Sequence, residues 1–168
     1  REANKRIRDL WYSMDNAAVQ VITEGGSTGV NGLLLAREYD YDNGTDCLTI
    51  RLPSGRKLYY ISPGIGQNEW GRPSISYMGM DQKTKRWKRI ETYGGKLVEN
   101  CVQAIARDCL ALSIDRLEAA GLPVVFHVHD EVVIDVAPWD TEDAMLSTVC
   151  SIMGEQVPWA PDLPLTKD

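Results

Sequence analysis

The chain is 168 residues long, 43% hydrophobic and 25% charged, which is enough for one domain with its own apolar core. Its net charge of -6 and isoelectric point near 5.0 exclude a wholly basic nucleic-acid coat protein, although acidic metal ligands and local basic patches can share one surface. No apolar run reaches the roughly 18 residues of a membrane span and no secretory leader is visible, so a cytoplasmic location is expected.

Cys47, Cys101, Cys109 and Cys150 form no Cys-x-x-Cys pair and read as reduced core residues. The chain opens on Arg1 rather than Met, which suggests a piece of something longer.

In chain order, residues 3–23 predict a helix. Ile7, Leu10, Trp11, Met14, Ala17, Ala18, Val21 and Ile22 recur at three- and four-residue spacing, and Gly25-Gly26 stops the pattern. Residues 27–46 are polar, with turn signals at Gly29, Gly32 and Asn43-Gly44 around an apolar patch at Leu33–Leu35. Leu48–Leu52 and Arg56–Ile61 predict a hairpin about Pro53-Ser54-Gly55. Residues 62–74, rich in Gly and Pro, read as a loop or crossing segment. Ile75–Met80 and Arg86–Glu91 predict a second hairpin around Asp81–Lys85.

A long helix is expected from Gly95, ended by Gly121 and Pro123. A last helix over Thr141–Met153, with Asp140 as its N-cap, follows. An extended tail carrying Pro158, Pro161 and Pro164 closes the chain as a strand. Hairpins mean antiparallel pairing, so the fold class is α+β, an antiparallel sheet with helices packed on one face.

The most informative stretch is Val124–Val136. Two Val- and Ile-rich runs flank one polar tip, His129-Asp130-Glu131, and read as two buried strands. Acids at such a tip are costly unless they act. A carboxylate fixed there can hold a divalent metal at one point, as phosphoryl transfer requires.

The order of elements and this tip together resemble the C-terminal part of the palm of a family A DNA polymerase, the DNA polymerase I type, in its phage-encoded branch. That family carries a Val-His-Asp-Glu turn between two strands, matched by Val128-His129-Asp130-Glu131. The string Thr92-Tyr93-Gly94-Gly95-Lys96-Leu97-Val98-Glu99-Asn100-Cys101-Val102-Gln103-Ala104-Ile105-Ala106-Arg107-Asp108 is similar to its long helix bearing a Gln toward the primer–template. Leu52–Tyr59 resembles its Gly-Arg hairpin, and Pro158–Leu165 the ending of the phage branch.

The family's first catalytic strand, of Asp-Tyr-Ser-x-x-Glu type, and its fingers helix have no counterpart here. Asp40-Tyr41-Asp42 lies on the wrong side of the fingers in chain order. The resemblance implies that both elements precede Arg1. The chain would then be a single partial domain: residues 1–26 the helix after the fingers, and residues 95–168 the long helix, the His-Asp-Glu hairpin, the last helix and the strand.

By the same resemblance, Asp130 is the second metal-bridging aspartate. With Glu131 it forms the catalytic and metal-holding pair for two Mg²⁺ ions in the complete enzyme. The plainer reading makes Asp130 a turn residue and Glu131 a solvated acid. His129 would face the primer strand, while His127, two residues earlier on the same strand face, reads as structural. Gln103 can donate and accept, and so read minor-groove acceptors that every base pair shares; otherwise it is a helix-surface amide.

Arg107, one turn on, would reach a phosphate or pair with an acid. Lys96 at the helix start opposes the dipole unless it meets phosphate. Lys83, Lys85, Arg86, Lys88 and Arg89, with Trp87 among them, suit a nucleic-acid backbone or a solvated hairpin equally. Arg56 and Lys57 are weaker candidates.

The implied partners are primer–template DNA, a dNTP and the N-terminal part of the polymerase, with no membrane. Faces that pack on that part would be left bare, so self-association is expected, readable by light scattering. Two other readings stand beside this one. A non-catalytic DNA-binding half of a split polymerase would show salt-dependent binding without turnover. A metal-dependent hydrolase would need more ligands than two histidines and one acidic tip supply.

Overall fold

The computed structural model describes residues 4–67, 71, 73–137 and 141–165. Among them the order is α1 (Lys5–Glu24), β1 (Ser27–Val30), β2 (Leu33–Asp40), β3 (Thr45–Arg51), β4 (Lys57–Gln67), β5 (Pro73–Met80), β6 (Trp87–Thr92), α2 (Gly94–Ala119), β7 (Val124–Val128), β8 (Glu131–Ile134) and α3 (Glu142–Met153). The fold is α+β, as the hairpin pattern predicts. The chain divides into two compact units, Arg1–Val102 and Gln103–Asp168. No helix of the described residues is long and apolar enough to cross a membrane.

The first unit is built on a six-stranded meander in the order β1-β2-β3-β4-β5-β6, antiparallel throughout. Leu35 pairs with Ile50, Arg37 with Leu48, and Leu48 with Tyr60. Directly paired residues share a face, so these side chains line one side of the sheet. Leu35, Leu48 and Ile50 are fully buried, each contributing about 1.5–3 kcal/mol through removal from water.

Both helices of this unit reach that same face. Arg37 Nη1 donates to the Ile22 carbonyl of α1, and Asn100 Nδ2 of α2 donates to Tyr60 Oη at 3.0 Å. α1 buries Met14, Ala17, Ala18, Val21 and Ile22. Ile7 and Trp11, expected on the same stripe, are instead 49% and 44% exposed.

Three expectations are corrected. Residues 27–46 are not a polar connection; they hold β1 and β2, whose alternation Gly29 and the charges of Arg37 and Glu38 conceal. Residues 62–67 are strand, not loop. β4 absorbs Pro63 through a register shift between Ile61 and Gly64, because a bulge frees the proline from donating to the ladder. The C-terminal strand is absent from the described residues: Val157 and Ala160 make one isolated bridge within turns. Asp140, the expected cap of α3, lies outside the described residues, and Thr141 takes the N-cap position without a side-chain hydrogen bond.

The two helices of the first unit meet at Gly94. Asp15 Oδ1 accepts the Gly94 N–H at 2.7 Å, so a residue of α1 caps α2. A Cβ on Gly94 would fall onto the Trp11 carbonyl oxygen, and one on Gly95 would lie 2.9 Å from the Tyr93 ring. Gly94→Ala is therefore expected to destabilise the first unit by about 3 kcal/mol. Asp15→Ala, which removes only the cap, should cost about 1 kcal/mol. Denaturant unfolding of the two variants checks this, and an unchanged midpoint for Gly94→Ala would refute the close crossing.

All four cysteines are free thiols, with Cys47 and Cys101 buried. Burial pushes the Tyr60 hydroxyl from its ordinary 10.0 up to about 12, against the Asn100 hydrogen bond, which lowers it. Burial also pushes the Cys101 thiol from 9.0 up to about 11. Both groups hold their proton more tightly when folded, so their contribution is complete below pH 9.0 and is lost as pH rises to about 12. Unfolding free energies measured across that alkaline range should fall, by an amount on the order of a few kcal/mol. A flat profile would mean that neither group is desolvated.

Candidate functional site

The second unit places the polar tip. Gly121, at φ +80, ends α2, and the Leu122 N–H returns to the Leu117 carbonyl at 2.9 Å, a Schellman-type stop. Glu118 Oε1 then accepts the Val124 N–H at 2.6 Å, so the last turn of α2 fixes the first residue of β7. β7 and β8 pair through Val124–Ile134, Phe126–Val133, His127–Val132 and Val128–Glu131, with a shift between Val124 and Phe126. That register leaves His129 and Asp130 as a two-residue turn.

His129 sits at φ +54, in the left-handed region that costs a non-glycine residue about 1–2 kcal/mol. Strained residues of this kind concentrate at functional sites. Because His129 lies in the turn and not in β7, it does not continue the strand alternation of His127, contrary to the expected shared face.

The expectation of buried strands is corrected too. Val125, Phe126, Val128 and Val133 are 61%, 54%, 46% and 40% exposed. Pairing puts Phe126, Val128, Val133 and Glu131 on one face, so an apolar surface lies beside the acid. His129, Asp130 and Glu131 are all exposed. Two adjacent carboxylates offer hard oxygen donors of the kind Mg²⁺ prefers. Among the described residues, however, no cluster of three or more His, Cys, Asp or Glu side chains could hold a metal ion. The tip fits Mg²⁺ only as part of a larger ligand set.

Gln103 and Arg107 are exposed on the part of α2 in the second unit, four residues apart and so on one face. The structure brings His129 and Asp130 together in one turn, with Glu131 beside them at the start of β8. The remaining two candidates belong to the first unit. Lys96 Nζ lies 2.9 Å from Glu99 Oε2, and that partner raises its pKa, so the helix already offsets the cation at its start. Arg89 Nη1 donates to the Ser62 carbonyl at 3.2 Å and to Ser76 Oγ at 3.1 Å, where it braces the β4 bulge.

Sequence reasoning missed three features. Arg116 donates to the carbonyls of Glu155 and Gln156 at 3.0 and 2.8 Å and straps the C-terminal segment to α2. Glu118, described above, sets the start of the hairpin. In the first unit a groove of about 660 Å³ is lined by Ile7, Arg8, Trp11, Tyr12, Tyr93 and Gly94, among others. The Tyr93-Gly94-Gly95 string reads only as the entry to the long helix, and a single sequence does not say that its glycines admit a second helix.

Over 170 aligned positions the chain is 44% identical to the DNA polymerase of Bacillus phage SP02, an alignment that covers 100% of this chain and 25% of that protein. The chain thus spans about a quarter of the length of the curated relative it matches. No family model matches the chain, and no solved structure matches it.

The strain at the tip has a direct consequence. His129→Gly should leave β7–β8 pairing intact and stabilise the hairpin by up to about 1 kcal/mol, since glycine takes φ > 0 freely. Amide exchange of Val128 and Glu131 reads this; faster exchange in the variant would contradict the left-handed turn.

Proposed function

We propose that this chain is the C-terminal palm segment of a DNA polymerase of the family A, phage-encoded type. The observation that carries the reading is the tip: an exposed Asp130-Glu131 pair behind a strained His129 in a two-residue turn. Similarity along the whole chain to part of a phage DNA polymerase supports it. The reaction is template-directed attack of a primer 3′-hydroxyl on the α-phosphate of a dNTP, with release of pyrophosphate.

Asp130 and Glu131 would hold Mg²⁺ together with a carboxylate from outside this chain. When bound, the metal supplies charge neutralisation for the hydroxyl and the triphosphate. His129, held at the apex, donates to a phosphate or the terminal sugar of the primer. Gln103 and Arg107 contact the primer–template, Gln103 through minor-groove acceptors and Arg107 through phosphate. Lys96 and Arg89 are weaker contacts, because each already has a protein partner. A self-contained metal hydrolase finds no support in the described residues, which hold no three-ligand cluster.

The test is a chimera in which this chain replaces the matching quarter of the phage SP02 polymerase. Mg²⁺-dependent primer extension is expected, and Asp130→Asn should lower kcat by about a thousandfold or more with DNA binding retained. The isolated chain should extend no primer. Robust extension by the isolated chain, abolished by Asp130→Asn, would sink the partial-site reading. A folded chimera that binds DNA without extending it would favour the non-catalytic module.

A further inference from the structure

The six-stranded sheet is electrically polarised along its strands. The β3–β4 connection, Arg51-Leu52-Pro53-Ser54-Gly55-Arg56-Lys57, has three cations and no acid. The β5–β6 connection and the strand it enters, Asp81–Arg89, carry five cations against one acid. The meander order puts both connections at the same end of the sheet. The opposite end is the β2–β3 connection, where Asp40, Asp42 and Asp46 stand without a cation between them; Glu38, further along β2, reaches Lys57 instead. A chain whose net charge is -6 thus carries a strongly basic edge.

The basic turns are also preorganised. Asp81 Oδ1 accepts from the Thr84 N–H at 2.7 Å, the Thr84 hydroxyl at 2.8 Å and the Lys83 N–H at 3.2 Å. Those hydrogen bonds, foremost from the Thr84 amide, hold its carboxyl well below the usual range. The Asp81 N–H and carbonyl also close onto Arg86 and Lys85, each at 2.9 Å. Across the sheet the Leu52 N–H donates to the Arg56 carbonyl at 2.8 Å and the Gly55 N–H to the Leu52 carbonyl at 2.9 Å.

Lys88 is engaged by Asp81, Arg89 by the bulge and Lys57 by Glu38. Lys83, Lys85 and Arg86 are exposed at one turn, and Arg51 and Arg56 are exposed at the other.

We infer that this basic end of the sheet is a docking surface for the phosphodiester backbone of duplex DNA, separate from the His129-Asp130-Glu131 tip. It rests on the polymerase reading only in taking DNA as the polyanion. The two turns lie two strand spacings apart, about 10 Å, close to the rise of about three phosphates along one strand of a duplex.

The acidic turn is removed by the seven residues of β3, about 20 Å at the rise of a strand. That exceeds the screening length of about 8 Å at physiological salt. Apart from Glu38, which reaches Lys57, the acidic end therefore does not cancel the basic one; it disfavours the opposite docking orientation. Charge rather than base contact carries the binding, so a duplex, with its higher charge density, should bind better than a single strand.

The test is fluorescence anisotropy of a short labelled duplex of mixed sequence with the whole chain in EDTA, over a salt series. Lys83→Ala/Lys85→Ala/Arg86→Ala should weaken binding about tenfold or more and make the salt slope shallower by about three. Arg51→Ala/Arg56→Ala should act in the same direction. Asp40→Asn/Asp42→Asn should leave affinity unchanged or slightly raised.

Binding by the triple variant within about twofold of the parent, at an unchanged slope, would overturn the inference. So would tighter binding of single strands, which would point to stacking on Trp87 instead, or no binding of duplex by the parent chain. None of these outcomes bears on Asp130, whose variant is read by primer extension with binding intact. The two readings therefore fail separately.

Discussion

The first unit is organised around the close crossing of α1 and α2 at Gly94, marked by a hydrogen bond across 79 residues of sequence from the Gly94 amide to the Asp15 carboxylate. The helix-starting amide would otherwise be one of the orphan donors of α2, and here another helix satisfies it. The bond closes a circuit. α1 leads into the sheet, the sheet returns at β6, and α2 begins against the middle of α1. The circuit can close only because residue 94 has no side chain, for the Trp11 carbonyl occupies the place of a Cβ. The burial of Leu97, Val98 and Cys101 follows from that first turn being seated.

How much of this could be read beforehand varied with the kind of signal. The hairpins around Pro53-Ser54-Gly55 and Asp81–Lys85 were legible because turn chemistry and β-branched runs agree there. β1 and β2 were not, because Gly29 interrupts the short β1 and the charges of Arg37 and Glu38 break the apolar alternation of β2. Pro63 and Gly64 misled in the opposite direction: they mark a bulge within a strand, and the register shift that absorbs them depends on Arg89 reaching across β5. That contact is not written in any local window. The C-terminal prolines gave turns and not a strand: Pro158 and Pro161 lie in turns beside the isolated Val157–Ala160 bridge.

The candidate site was legible in its residues and less so in its setting. The His-Asp-Glu tip stands at a turn, as its flanking strands implied, but those strands are largely exposed. Apolar composition says that a strand wants cover; it does not say that the cover lies in the same chain. The roles of Lys96 and Arg89 shifted for a similar reason. A cation at a helix start and a cation on a strand each looked available until Glu99 and the bulge took them up.

An isolated two-stranded hairpin is marginal in water, and this one carries a left-handed histidine at its apex. Its pairing is anchored at one end only, through Glu118 and the half-buried Val124 and Ile134. Such a tip holds a carboxylate loosely, yet phosphoryl transfer needs its ligands positioned to fractions of an ångström. The rigidity must come from whatever covers Phe126, Val128 and Val133, the exposed face that Glu131 shares. The surface that would stiffen the tip therefore adjoins the carboxylates it would position. A strand packed there would cover the apolar residues and bring its own side chains within reach of Asp130. Hydrophobic cover and completion of the ligand set would then be one event, so that under the proposed function a loosely held hairpin would gain its order and its missing ligands together.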